Sequence, residues 1–143
     1  MSYPESACMC MNGQPKLAAL VALELFAASG TKVYYSGDFD PEGLWIAQRL
    51  AYFYPGNFEF LNMDTECYEK CISDEPISDV RLKQLERITD ERLLGAVQMM
   101  RREKNLVIRR AFCKETTCQY EGTSCKIEIT NINTREKTGA GHR

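Results

Sequence analysis

The chain has 143 residues, 44% of them hydrophobic and 27% charged, with a net charge of −2. That length and balance suit one soluble globular domain around a single core and leave little room for a second. The near-neutral charge provides no whole-molecule field to attract nucleic acid, and no apolar run reaches the roughly 18–20 residues that a membrane span needs.

The longest apolar run, "LAALVALELFAA", is interrupted by Glu24. The amino end lacks the basic start and apolar core of a signal peptide, so the expected location is the cytoplasm, with no membrane partner. The seven cysteines are an odd number, which argues against a disulfide framework in a chain without a secretion signal. Their spacings, CxC, CxxxC, Cx4C and Cx6C, are not the CxxC pairs of zinc sites, and the single histidine is His142. No zinc is expected, and free, partly buried thiols are the simpler reading.

In chain order, "ACMCM" at 7–11 predicts a short strand that delivers the turn "NGQP". Residues 15–28 predict a helix: Leu17, Leu20, Val21, Leu25 and Ala28 recur at helical spacing, Pro15 suits a first turn and Gly30 a helix end. "TKVYYSG" at 31–37 is β-branched and aromatic, hence strand-like, with Tyr34 and Tyr35 as sheet or core residues. A second helix runs from Pro41 to Tyr54, burying Leu44, Ala47, Leu50, Ala51 and Tyr54, and "FEFLNM" at 58–63 predicts a third strand. Strand, helix, strand, helix, strand argues for a parallel α/β sheet with right-handed crossovers, whose ligands bind beyond the carboxyl ends of the strands.

Further on, "TECYEKCI" at 65–72 suits one or two helical turns. Residues 78–87 and 89–104 predict amphipathic helices, with Ser78 and Thr89 as N-caps and an apolar stripe of Leu93, Leu94, Val97 and Met100. From Arg109 the periodicity is lost. Residues 109–143 are expected to be irregular, with about the last ten disordered.

The densest chemistry lies in "YYSGDFDPEG", residues 34–43. Three readings compete. As a helix start, Asp40 is the N-cap, Pro41 the first helical residue and Glu42 an acid favoured by the helix dipole, which leaves Asp38 unexplained. As an EF-hand loop, Asp38, Asp40, Glu42 and Gly43 fit, but the position of the obligatory bidentate glutamate is Arg49. As a D-x-D magnesium site, Asp38 and Asp40 point to the same side of an extended segment while Phe39 turns into the core, so both converge on one hard cation that holds and polarises a phosphate.

"GDFDPEGLWIAQRL" resembles the D-x-D segment of Toprim domains, most closely the branch shared by topoisomerase VI A subunits and meiotic double-strand-break proteins. "NGQPKLAALVALELFAASG" is similar to the preceding loop and helix of that branch. The nearest likeness is to a bacterial family with a C-terminal Toprim-like domain of unassigned function, some members of which look like the nuclease subunit of Wadjet-type plasmid-defence systems. The resemblance covers about residues 8–107 and is strongest from Gly13 to Leu50. It implies a Toprim-like, Rossmann-like α/β fold over residues 1–108, mainly parallel and lacking its first strand. It also implies Mg²⁺-dependent DNA cleavage in active members, with other subunits of a DNA-processing or defence complex as partners. Asp38 and Asp40 match the family's metal-binding, catalytic aspartates; Glu42 lies at a variable position. Gly13, Gln14, Gly37 and Gly43 belong to the loops around the site.

Two departures stand out. Toprim sites add a glutamate from a strand ahead of the one that reads "ACMCM", and only Glu5 precedes it here; the carboxyl-terminal "FCKETTCQYEGTSC" does not match the family's Gln-Glu helix. Both suggest a piece of a longer nuclease subunit, inactive alone. For DNA, Arg101, Arg102, Lys16 and Arg49 are the candidate phosphate contacts, although Lys and Arg also favour a helix end for its dipole. No G-x-x-x-x-G-K-[ST] loop occurs, and His142 in the tail gives no base for Ser/His or Cys/His catalysis. The expectation is a Mg²⁺-binding, DNA-processing module; the alternative is a structural or interaction module in which "DFDPEG" is only a cap.

Overall fold

The computed structural model describes residues 6–11, 13–106 and 125–130. The expected alternation is present: β1 (Ser6–Met11), α1 (Leu17–Ala28), β2 (Lys32–Gly37), α2 (Pro41–Phe53) and β3 (Phe58–Phe60). Three helices follow, α3 (Thr65–Cys71), α4 (Asp79–Gln84) continued by a 3-10 turn over Leu85–Arg87, and α5 (Glu91–Glu103). The fourth strand, β4 (Cys125–Thr130), falls in the segment expected to be irregular, which corrects that expectation. The last ten residues, expected to be disordered, lie outside the described residues.

The four strands form one sheet in the order β1-β4-β2-β3. β2 and β3 are parallel, whereas β4 lies antiparallel between β1 and β2. The α/β class holds and β1, β2 and β3 all run the same way, but the inserted β4 makes the sheet mixed. Its register fixes a useful alignment. Met11 at the end of β1 and Gly37 at the end of β2 both pair with Cys125. The loops that follow them therefore leave the sheet at the same edge and level, two strand spacings or about 10 Å apart.

α2 forms where capping and periodicity agree. The Asp40 carboxylate accepts the Gly43 N–H, Pro41 occupies the first turn, and Leu44, Ala47 and Leu50 are buried on the sheet side. Tyr54, just past its end, is buried and donates its hydroxyl to the Thr31 carbonyl. α1 behaves differently. It is apolar all round, so the pattern does not select a face: Leu23 is fully buried, but Leu17, Val21 and Leu25 are 76%, 45% and 66% exposed. Pro15 lies ahead of this helix rather than in its first turn, while Gly30 closes it with φ +70°, as expected.

Ser78 caps α4 as predicted. α5 is capped by Asp90 instead of Thr89, and of its predicted stripe Leu93, Val97 and Met100 are buried while Leu94 is 37% exposed. The core joins the buried face of β2 (Val33, Tyr35) to Leu44, Leu50, Phe58, Tyr68, Leu85, Leu93 and Met100. No described helix is long and apolar enough to cross a membrane.

Candidate functional site

The acidic loop leaves β2 at Gly37 and enters α2 at Pro41. Its middle residue, Phe39, is fully buried and packs edge-on against Tyr68, with ring centroids 5.4 Å apart. Tyr68 is in turn anchored by a 2.6 Å hydrogen bond from its hydroxyl to the Asn105 carbonyl. The loop thus has an aromatic floor held from α3 and from the end of α5. Asp38 and Asp40, on either side of Phe39, are only partly buried. Asp40, the N-cap of α2, has extended backbone (φ −132°, ψ 161°).

Asp40 is heavily committed. Its Oδ1 accepts the Gly43 N–H at 2.5 Å, and its Oδ2 lies 3.3 Å from Nη2 of Arg81 on α4. Glu42, in the first turn of α2, faces the same guanidinium: Arg81 Nε donates to Oε1 at 3.3 Å and Nη2 to Oε2 at 2.5 Å. Burial pushes the Asp40 carboxyl above the ordinary range, a tendency that the Gly43 N–H opposes, the charges of Glu42 and Asp38 reinforce and Arg81 counters. The Arg81 hydrogen bonds hold Glu42 below its ordinary range and raise Arg81.

Gly43 is fixed by space. A Cβ there would sit 2.6 Å from both the Asp38 carbonyl oxygen and Asp40 Oδ1, so the loop folds over this residue only because it has no side chain. Gly37, at the end of β2, is buried beside the Tyr35 ring.

The other predicted residues divide. Gly13 (φ +73°) and the exposed Gln14 lie in the loop after β1, on the edge that carries the acidic loop. Lys16 precedes α1 as an exposed N-cap without a side-chain bond, and Arg49 is exposed on α2. Arg101 and Arg102 lie exposed in the last turn of α5, where Arg102 pairs with Glu103 at 2.7 Å. None of these four cations pairs with Asp40 or Glu42; that place belongs to Arg81, which sequence reading did not single out. Its only signal was a position early in a helix predicted to follow the third strand. Among the described residues no group of three or more His, Cys, Asp or Glu side chains converges as a metal cage. The site offers two aspartates, with Glu42 turned to Arg81. Carboxylate oxygens are hard donors, and each oxygen that accepts one hydrogen bond keeps a second lone pair.

Fold and site together define a mixed α/β domain with a D-x-D loop at the carboxyl edge of its co-directional strands. The chain belongs to the family described as "Protein of unknown function C-terminus (DUF2399)", whose profile matches residues 3–108. No curated protein and no solved structure matches it.

Proposed function

We propose that this chain is a Toprim-like module in which Asp38 and Asp40 bind Mg²⁺ for the cleavage or processing of DNA, acting with other subunits of a DNA-processing or defence complex. The observation that carries the reading is the arrangement around Phe39: the intervening ring is locked in the core, while the aspartates on either side of it in the chain stay only partly buried at the carboxyl edge of the strands. A helix start needs Asp40 alone; it does not need Asp38. The likeness of "GDFDPEG" to Toprim segments supports the same reading; membership of the DUF2399 family, described only as of unknown function, favours neither this reading nor a structural one.

Magnesium is commonly held by one or two carboxylates with water completing its shell, so the pair is a sufficient donor set. Bound there, the ion would supply charge stabilisation at a phosphate and lower the pKa of an attacking water. The chain's own part is positional. The buried Phe39–Tyr68 contact fixes the height of the loop, and Gly43 lets Asp40 fold back without displacing Asp38.

A second reading is favoured by the bonds that Asp40 already makes: a 2.5 Å cap to Gly43 and an ion pair to Arg81, which would serve a purely structural loop. Conversion of supercoiled plasmid to nicked or linear DNA separates the two. The nuclease reading expects Mg²⁺-dependent conversion that Asp38→Asn and Asp40→Asn each abolish. Cleavage that survives both substitutions would sink the assignment of the aspartates, and a chain that neither cleaves DNA nor binds Mg²⁺ would leave the structural reading in place.

A further inference from the structure

Arg81 is held along one edge only. Nε and Nη2 engage Glu42 at 3.3 and 2.5 Å, and Nη2 also reaches Asp40 at 3.3 Å. Nη1 makes no hydrogen bond among the described residues, and the side chain is 32% exposed. A guanidinium is a rigid planar fork of five N–H donors. Once Glu42 fixes the Nε–Nη2 edge, the direction of the Nη1 donors is set as well. Among the described residues no acceptor meets them, and the neighbouring Nη2 adjoins the Asp40 carboxylate.

The charges favour the same use. Glu42 and Arg81 neutralise each other in a two-point pair, and the contact to Asp40 is the longer one. A cation at Asp38 and Asp40 would compete with that longer contact but leave the Glu42 clamp intact. Arg81 would then keep its place, with donors to spare for an anion on the cation. The sequence had pointed to Lys16, Arg49, Arg101 and Arg102 for phosphate contact, yet none of them pairs with these carboxylates.

We propose that Arg81 is a phosphate-contacting residue of this site and Glu42 its positioning residue: the open Nη1 edge takes a non-bridging oxygen of a DNA phosphodiester lying against Asp38 and Asp40. The inference rests on the reading of the aspartate pair given above.

The test is fluorescence anisotropy of a labelled duplex DNA oligonucleotide at several salt concentrations, with Ca²⁺ as the divalent ion and in parallel with EDTA. Arg81→Ala is expected to weaken binding about tenfold, the scale of one charge-assisted hydrogen bond, and to lower the salt slope by about one phosphate contact. Arg81→Lys recovers only part, because it restores the charge without the fork. Glu42→Gln weakens binding a few-fold alone and adds nothing to Arg81→Ala, as expected if it acts through the guanidinium. Unchanged affinity and salt slope in Arg81→Ala, with a lowered melting temperature, would make Arg81 a structural tie between α4 and α2 and overturn the inference. An Arg81 effect that persists in EDTA while the wild type binds no divalent ion would overturn only the metal reading. No DNA binding by the wild type would overturn both.

Discussion

Arg81 on α4 places Nη2 3.3 Å from Oδ2 of Asp40, across 41 residues of chain. The contact joins the last residue of the acidic loop to a helix that local sequence gives no reason to connect with it. It also shapes the electrostatics of the loop: Asp40 and Glu42 share one guanidinium, and the partly buried Asp40 has its ionisation opposed by burial and by the charges of Glu42 and Asp38. Such a loop has a residual demand for positive charge.

The cap and the charge of Asp40 are separable. Asp40→Ala removes the acceptor for the Gly43 N–H and should cost about 1 kcal/mol of stability. Asp40→Asn keeps an N-cap oxygen and should lie within a few tenths of a kcal/mol of wild type. Urea denaturation of both variants checks this; equal losses would show that capping is not what Asp40 contributes to α2.

Gly43→Ala should destabilise the fold, although alanine is ordinarily the better helix residue by about 1 kcal/mol. The added methyl would meet the Asp38 carbonyl and Asp40 Oδ1 at 2.6 Å, and the displacement should cost about 2 kcal/mol, as overpacking does elsewhere. A midpoint unchanged or raised in denaturant would mean that the loop yields freely and the aspartates are not held in place.

Gln48 is a buried junction. Its Oε1 accepts the N–H groups of Thr89 and Asp90 at 2.6 and 2.9 Å, and its Nε2 donates to the Arg87 carbonyl at 3.0 Å. Gln48→Ala leaves these backbone groups without partners and should cost about 3 kcal/mol. Amide hydrogen exchange should quicken first at Thr89 and Asp90; uniform exchange would contradict the local account.

How legible these features were depends on how local their causes are. The acidic loop and α2 could be read because Asp40, Pro41 and the apolar residues 44, 47 and 50 all act within one helix, and alternation around Phe39 separates the aspartates from the core. Gln48 was missed although its position, four after Leu44 and beside Ala47, is on the buried face by helical period. α1 has apolar residues on every side, so no periodicity could reveal that Leu23 is buried and Leu25 is not. β4 depends on pairing Ser6 with Thr130, and Arg81 on meeting Glu42 39 residues away; neither distance leaves a mark in a local pattern.

The pH dependence of stability should carry the Asp90–Arg92 pair. Arg92 donates to Asp90 from Nε at 2.9 Å and Nη2 at 2.6 Å, and these bonds hold the 7%-exposed Asp90 carboxyl below its ordinary range. A carboxyl depressed in the fold stabilises above its unfolded pKa of about 3.9 and loses that contribution as pH falls through the folded value. Asp90→Asn should therefore lower stability near neutral pH and flatten its decline on acidification below about pH 4. Parallel curves for variant and wild type would assign the acid sensitivity elsewhere.

The central claim is that Asp38 and Asp40 form a cation site, and calorimetric titration with Mg²⁺ tests it without recourse to activity. The wild-type chain should bind the ion, and Asp38→Asn and Asp40→Asn should each weaken binding by about tenfold or more, at least the scale of losing an outer-shell partner. Absence of Mg²⁺ binding in the wild type, or binding unaltered in both variants, would contradict the claim and leave "GDFDPEG" as the capped start of α2.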